Sequence, residues 1–186
     1  MNPTPTSPQN LLKQAQLAYD AEDFQNAARL FSDAAEDFRS NNDALNAAEC
    51  DNNRSVALLR AGDPAGALKA ASGTEQIFAD ANDRRRQAMA LGNQAAALEE
   101  LKEYQKALEL YQQSSEFLKE LDDGELRSYV LKRISALQIR LGKRLESMAT
   151  MDAALHSKTK LTFKESFMKF LFDVLFKLLN RPPMPF

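Results

Sequence analysis

Matching residues recur 40 positions apart, four times along this chain, and the match is clearest where each unit turns a corner. Asp23-Phe24 with Ala27, Asp63-Pro64 with Ala67, and Glu103-Tyr104 with Ala107 keep that spacing, and Lys143-Arg144 with Ser147 continues it in weaker form. Further columns agree: Ala57/Ala97, Leu58/Leu98, Leu101/Leu141, Phe31/Tyr111 and Phe38/Phe78/Leu118. A fixed period in the 20–50 range marks stacked supersecondary units, each unable to bury its apolar face alone. Such folds usually work by surface rather than by catalysis.

The residues between the corners are those of helices. Ala, Leu, Glu, Lys, Gln and Arg dominate, Gly numbers 6, and no run alternates apolar and polar residues as a strand does. Each unit therefore reads as two helices. Helix A runs over Leu11–Ala21, then from about Leu45 to Arg60, Arg84–Leu101 and Glu125–Leu141. Helix B runs over Phe24–Arg39, from Pro64 to about Ala79, Tyr104–Leu121 and Arg144 to about His156. Ala61-Gly62-Asp63-Pro64 supplies a Gly stop, an Asp N-cap and a Pro at the first helical position, and Asp122-Asp123-Gly124 breaks the chain before the fourth unit.

The run from Ala90-Leu91-Gly92-Asn93 to Leu101-Lys102-Glu103-Tyr104-Gln105-Lys106-Ala107-Leu108-Glu109-Leu110-Tyr111 resembles the tetratricopeptide repeat family, in its longer class of roughly 40 residues. The likeness covers about Leu11 to His156. It rests on the aromatic that opens helix B (Phe24, Tyr104), the small residue three later (Ala27, Ala67, Ala107), the aromatic four beyond that (Phe31, Tyr111), and Asn53 and Asn93 in helix A. Unit two departs at Pro64 and Ala71, unit four at Arg144 and Met151. The expectation is an all-α fold, an α-α superhelix of four helical hairpins plus a C-terminal capping or interaction helix. Its organisation is a disordered lead over 1–9, a solenoid over 10–158 with repeats near 10–43, 44–82, 83–123 and 124–158, and a Phe-rich helix with a Pro-rich end over 159–186.

The resemblance implies a concave groove lined by the A helices. Its columns fall on Leu12, Gln16, Tyr19 and Asp20; Asn52, Val56, Leu59 and Arg60; Gly92, Ala96, Glu99 and Glu100; and Lys132, Ala136, Ile139 and Arg140. Lys132 is the one residue that fits the family's carboxylate clamp. The small apolar floor Val56/Ala96/Ala136 suits an incoming helix better than an acidic peptide, or else lets successive A helices pack closely.

Thr162–Asn180 is apolar over about two-thirds of a helical wheel, wider than one core-facing stripe. Adding 40 to the register places Leu171, Val174, Leu175 and Leu178 at the core positions of a fifth helix A, so a cap is the first expectation. Phe163, Phe167, Phe170, Phe172, Phe176 and Leu179 exceed what one packing surface uses. A second copy or a partner helix is expected to cover them ahead of a membrane surface, because the polar stripe is narrow and not strongly basic. Lys164, Glu165, Lys169, Asp173 and Lys177 argue against a transmembrane span.

Net charge is −2, but from Ser157 onward Lys158, Lys160, Lys164, Lys169, Lys177 and Arg181 outweigh Glu165 and Asp173 by +4, which leaves −6 on the body. Arg84-Arg85-Arg86, bracketed by acids, reads as a solvated or ion-paired edge, and nucleic acid is not an expected partner. The single Cys50 excludes an internal disulfide and suits a reducing, cytoplasmic setting. The start MNPTPTSPQN lacks the apolar stretch of a secretory signal. One His, His156, and one Cys cannot build a usual zinc site, and no Gly-rich phosphate loop is present. No catalysis, cofactor or metal is expected. The predicted function is a non-catalytic adaptor that binds a helix or peptide in the groove, with self-assembly or membrane-surface association through the C-terminal helix as the alternative.

Overall fold

A computed structural model describes residues 7–178, and ten helices with no strand fill them. They are α1 (Pro8–Asp20), α2 (Phe24–Ser40), α3 (Ala44–Arg60), α4 (Pro64–Ala71), α5 (Thr74–Asp80), α6 (Arg84–Glu100), α7 (Tyr104–Glu120), α8 (Gly124–Arg140), α9 (Arg144–Ser157) and α10 (Phe163–Leu178). The fold is all-α and built from helical hairpins. Leu179 and the Pro-rich end lie outside the described residues, as do residues 1–6 of the expected lead.

Three-residue turns repeat between most of these helices, and their backbone explains the period. At the three-residue turns, left-handed φ values fall on Glu22, Asn42, Gly62, Asn82, Lys102, Asp122 and Gly142. One such residue thus stands every 20 positions, half the sequence period. The residue that follows caps the next helix: Asp23, Asp43, Asp63, Asp83 and Asp123 each accept the backbone N–H three residues on. The corner inside a repeat and the link between repeats are the same turn used twice.

Two boundaries differ from expectation. α1 begins at Pro8, with Ser7 as its cap and Pro at the first turn, three residues before Leu11. The second helix B is broken, because Ser72 is extended and Gly73 is left-handed (φ +84). The Ala71 carbonyl freed by the break accepts Thr74 Oγ1 (2.7 Å) and Gln94 Nε2 (3.1 Å).

The chain divides into two compact units, 1–103 and 104–186. In the first, α2 packs on α1 and α3, and α4 and α5 lie against both α3 and α6. Its core is largely alanine, including Ala15, Ala27, Ala34, Ala47, Ala57, Ala88 and Ala97, filled by Phe31, Phe38 and Phe78. Small side chains let helices approach closely at their crossings. In the second unit α7, α8, α9 and α10 pack in sequence order, around Leu108, Tyr111, Leu118, Val130, Leu131, Ile134, Leu137 and Leu155. Gly124 sits where a Cβ would come within 2.0 Å of the Ser157 carbonyl oxygen, which fixes the contact between the start of α8 and the end of α9.

Candidate interaction site

The A-helix positions named above split into committed and open groups. In the first unit Leu12 and Tyr19 are half-buried against the cluster around Ala15, Ala27, Phe31 and Ala57. Gln16 donates to Asp20 at 2.8 Å. Tyr19 meets the Phe24 ring edge-on with centroids 5.3 Å apart, and the Arg60 guanidinium lies 4.6 Å from the same ring. Asn52 is buried and accepts Asn93 Nδ2 at 3.1 Å, tying α3 to α6. Glu99 is buried too, while Glu100 is exposed. Val56, Leu59, Gly92 and Ala96 are half-buried. In the second unit Ala136 is half-buried, Ile139 is exposed, and Arg140 stacks 5.4 Å from the Tyr104 ring.

Lys132, the clamp-like position, is engaged from within the chain. Its Nζ lies 2.7 Å from Glu165 Oε1 on α10, and Lys158 Nζ reaches both oxygens of the same carboxylate at 3.2 and 3.1 Å. Glu165 also closes a capping box: Oε2 accepts the Thr162 N–H (2.9 Å), and Thr162 Oγ1 accepts the Glu165 N–H (3.3 Å). Lys132 foremost, then the Thr162 N–H and Lys158, hold the Glu165 carboxyl well below the usual carboxylate range. The T-x-x-E pattern of Thr162–Glu165 ahead of an apolar run is a sequence signal for the box; nothing local in sequence points to Lys132.

This latch sets the rotation of α10, and the fifth-helix register fails there. Leu171, Val174 and Leu178 are exposed, and no residue of α10 is fully buried. Two features turn the helix away from the repeat. α9 ends at Ser157, three residues short of the position where α2, α5 and α7 end in the 40-residue register, and a five-residue link replaces the three-residue turn. The half-buried back carries Phe172, Leu175 and Phe176, with the two rings 6.2 Å apart. The front carries Phe163 (89% exposed), Phe167 (57%) and Phe170 (59%). The Phe residues grouped together in sequence therefore divide between two faces.

Behind α10 lies a polar seam that sequence distance hides. Asp152 and His156 of α9 and Asp173 of α10 place a donor atom each within 4.8 Å of the others. His156 Nδ1 lies 3.0 Å from the Asp152 carbonyl oxygen and 3.4 Å from its Oδ1. Burial pushes the Asp152 carboxyl up, with His156 and Lys169 opposing and Asp173 adding. One imidazole and two carboxylates could surround an ion, but Lys169 faces the same seam and opposes a cation.

Cys50 is buried and free, its thiol pushed up to about 12 by burial and then by Asp51 and Glu49, so it stays protonated and unreactive at neutral pH. In the basic cluster Arg86 bridges Asp83 (2.6 Å) and Glu49 (2.9 Å) and lies over the Phe78 ring. No helix among the described residues is long and apolar enough to cross a membrane. Neither a protein-family model nor a curated protein matches the chain.

Proposed function

We propose that the chain is a non-catalytic interaction module of the tetratricopeptide type, and that its working surface is the front of α10. The observation that carries this reading is the uncovered row of Phe163, Phe167 and Phe170 beside exposed Leu171, Val174 and Leu178. Leaving a Phe or Leu in water forgoes roughly 1.5–3 kcal/mol of burial, so a surface of this kind implies an occupant. Among the A-helix positions, by contrast, Asn52, Arg60, Lys132 and Arg140 are engaged inside the chain. A photo-reactive phenylalanine analogue at Phe167, in cells, tests the reading. Adducts at Phe167 and none from the exposed Gln112 are expected; an unreacted probe at Phe167 contradicts it.

A second reading keeps a partner helix on the A-helix face of the first unit, supported by half-buried Val56 and Ala96 with Gly92. It expects Val56→Glu/Ala96→Glu to abolish partner capture while the protein stays folded. Unchanged capture would remove it.

A further inference from the structure

We infer that the front of α10 seats on a membrane surface bearing anionic lipid, the helix lying flat while its back stays docked on α9. This rests on the reading of α10 as the working surface and names what covers it. At about 100° per residue, Phe170, Phe163, Val174, Phe167, Leu178 and Leu171 follow one another around an arc of about 100°. All six are exposed. Lys177 borders the arc on one side and Lys164 on the other, both exposed and outside every ion pair among the described residues. Exposed Lys160 stands in the link just before the helix. The helix's acids lie elsewhere: Asp173 is about 40° beyond Lys177 toward the back, and Glu165 is neutralised by Lys132 and Lys158.

An apolar arc with a lysine at each edge fits the boundary of a bilayer. The rings enter the acyl layer, the lysine stems follow its surface, and the ammonium groups reach the level of the lipid phosphates. By its narrow polar stripe alone, the sequence favours a dimer or partner helix over a membrane. Docking changes that ranking, because it turns Glu165 and Lys169 to the back and leaves a front whose edges are cationic.

A second copy is a poorer occupant. Two fronts related by a twofold axis bring lysine rims together, while Asp173 lies about 40° behind Lys177 and Glu165 is held by Lys132 and Lys158. At roughly 200 Å² for a fully exposed Phe, the three rings leave about 400 Å², and the leucines and valine raise this to about 650 Å². That exceeds what a monomer ordinarily leaves open, about 300–600 Å². It falls short of the roughly 800 Å² per partner that a stable interface buries.

Co-sedimentation of the full-length protein with vesicles tests the inference, using mixed phosphatidylcholine–phosphatidylglycerol and pure phosphatidylcholine. Binding to the mixed vesicles is expected, weaker in high salt and much weaker on the neutral ones. Lys164→Gln/Lys177→Gln lowers it on the order of tenfold. Phe163→Ser/Phe167→Ser/Phe170→Ser abolishes it, with an unchanged far-ultraviolet circular dichroism spectrum showing that the variants fold. No binding, or equal binding to both vesicles, overturns the lipid assignment. If the non-binding protein is a dimer by light scattering and the Phe variant a monomer, the working surface stands with a second copy on it. If the wild type is monomeric and its Phe167 probe captures nothing, both readings fall.

Discussion

Glu165 of α10 and Lys132 of α8 meet at 2.7 Å, and this ion pair, shared with Lys158, decides which side of the C-terminal helix faces water. Together with the short α9 and the five-residue link, it turns Phe172 and Phe176 inward and leaves Phe163 and Phe167 outward.

The pair makes α10 docking acid-sensitive. The folded-state Glu165 carboxyl lies below its ordinary value of about 4.3, so its contribution is complete above that value and is lost as pH falls toward the depressed one. Asp152 is shifted the other way, chiefly by burial, so its ionised form costs stability and that cost appears only above about 3.9, its ordinary value. Weakening below pH 4 therefore belongs to Glu165. Amide protection in α10, measured against the intrinsic exchange rate at each pH, should fall there in the wild type, and Glu165→Gln should show low protection already at neutral pH. Identical exchange in the two proteins at pH 7 would contradict the latch.

Left-handed turn residues set a second expectation. Glu22 and Gly62 occupy equivalent corners at φ +60 and +82. A Cβ in this region costs about 1–2 kcal/mol, partly offset by the greater unfolded-state freedom of Gly. Glu22→Gly should stabilise by roughly 0.5–1 kcal/mol, and Gly62→Ala, with open space around it, should destabilise by about 1 kcal/mol. Urea unfolding midpoints read both.

Lys143 stands where Asp stands at most other turns, with a similar backbone (ψ 64 against 72 at Asp123), and gives no side-chain cap. Lys143→Asp should stabilise the protein by about 1 kcal/mol, read as a rise in the urea midpoint at unchanged slope.

Gly124→Ala should act oppositely. Its new methyl would meet the Ser157 carbonyl at 2.0 Å, with backbone on both sides. A loss of about 1–3 kcal/mol and faster proteolysis at Lys160 are expected from the strained end of α9.

The hairpin fold was legible because its corners carry rigid local chemistry: Asp caps recur at one spacing, and Gly62, Gly142 and Pro64 fall at those corners. The half-period was not, since Glu22, Asn42 and Lys102 adopt one backbone conformation with unrelated side chains. The Ser72-Gly73 break was visible as residues but sat inside an apolar pattern that read as one helix. For the candidate surface, sequence supplied the excess of phenylalanine and could not apportion it, because the rotation of α10 depends on Lys132 and Lys158 outside the helix. Arg60 on Phe24 and Arg140 on Tyr104 are the same contact two repeats apart, and the intervening repeat carries Pro64 and Glu100 instead. That pairing was present in the sequence, unused.

The two-faced α10 is tested most directly by thiol labelling of Phe167→Cys and Phe172→Cys in the full-length protein, where Cys50 is buried and protonated. Phe167→Cys is expected to react as a free thiol in buffer and to become protected on phosphatidylglycerol-containing vesicles, with Phe172→Cys slow in both. Equal reactivity of the two in buffer, or no protection of Phe167→Cys on the vesicles, would contradict it.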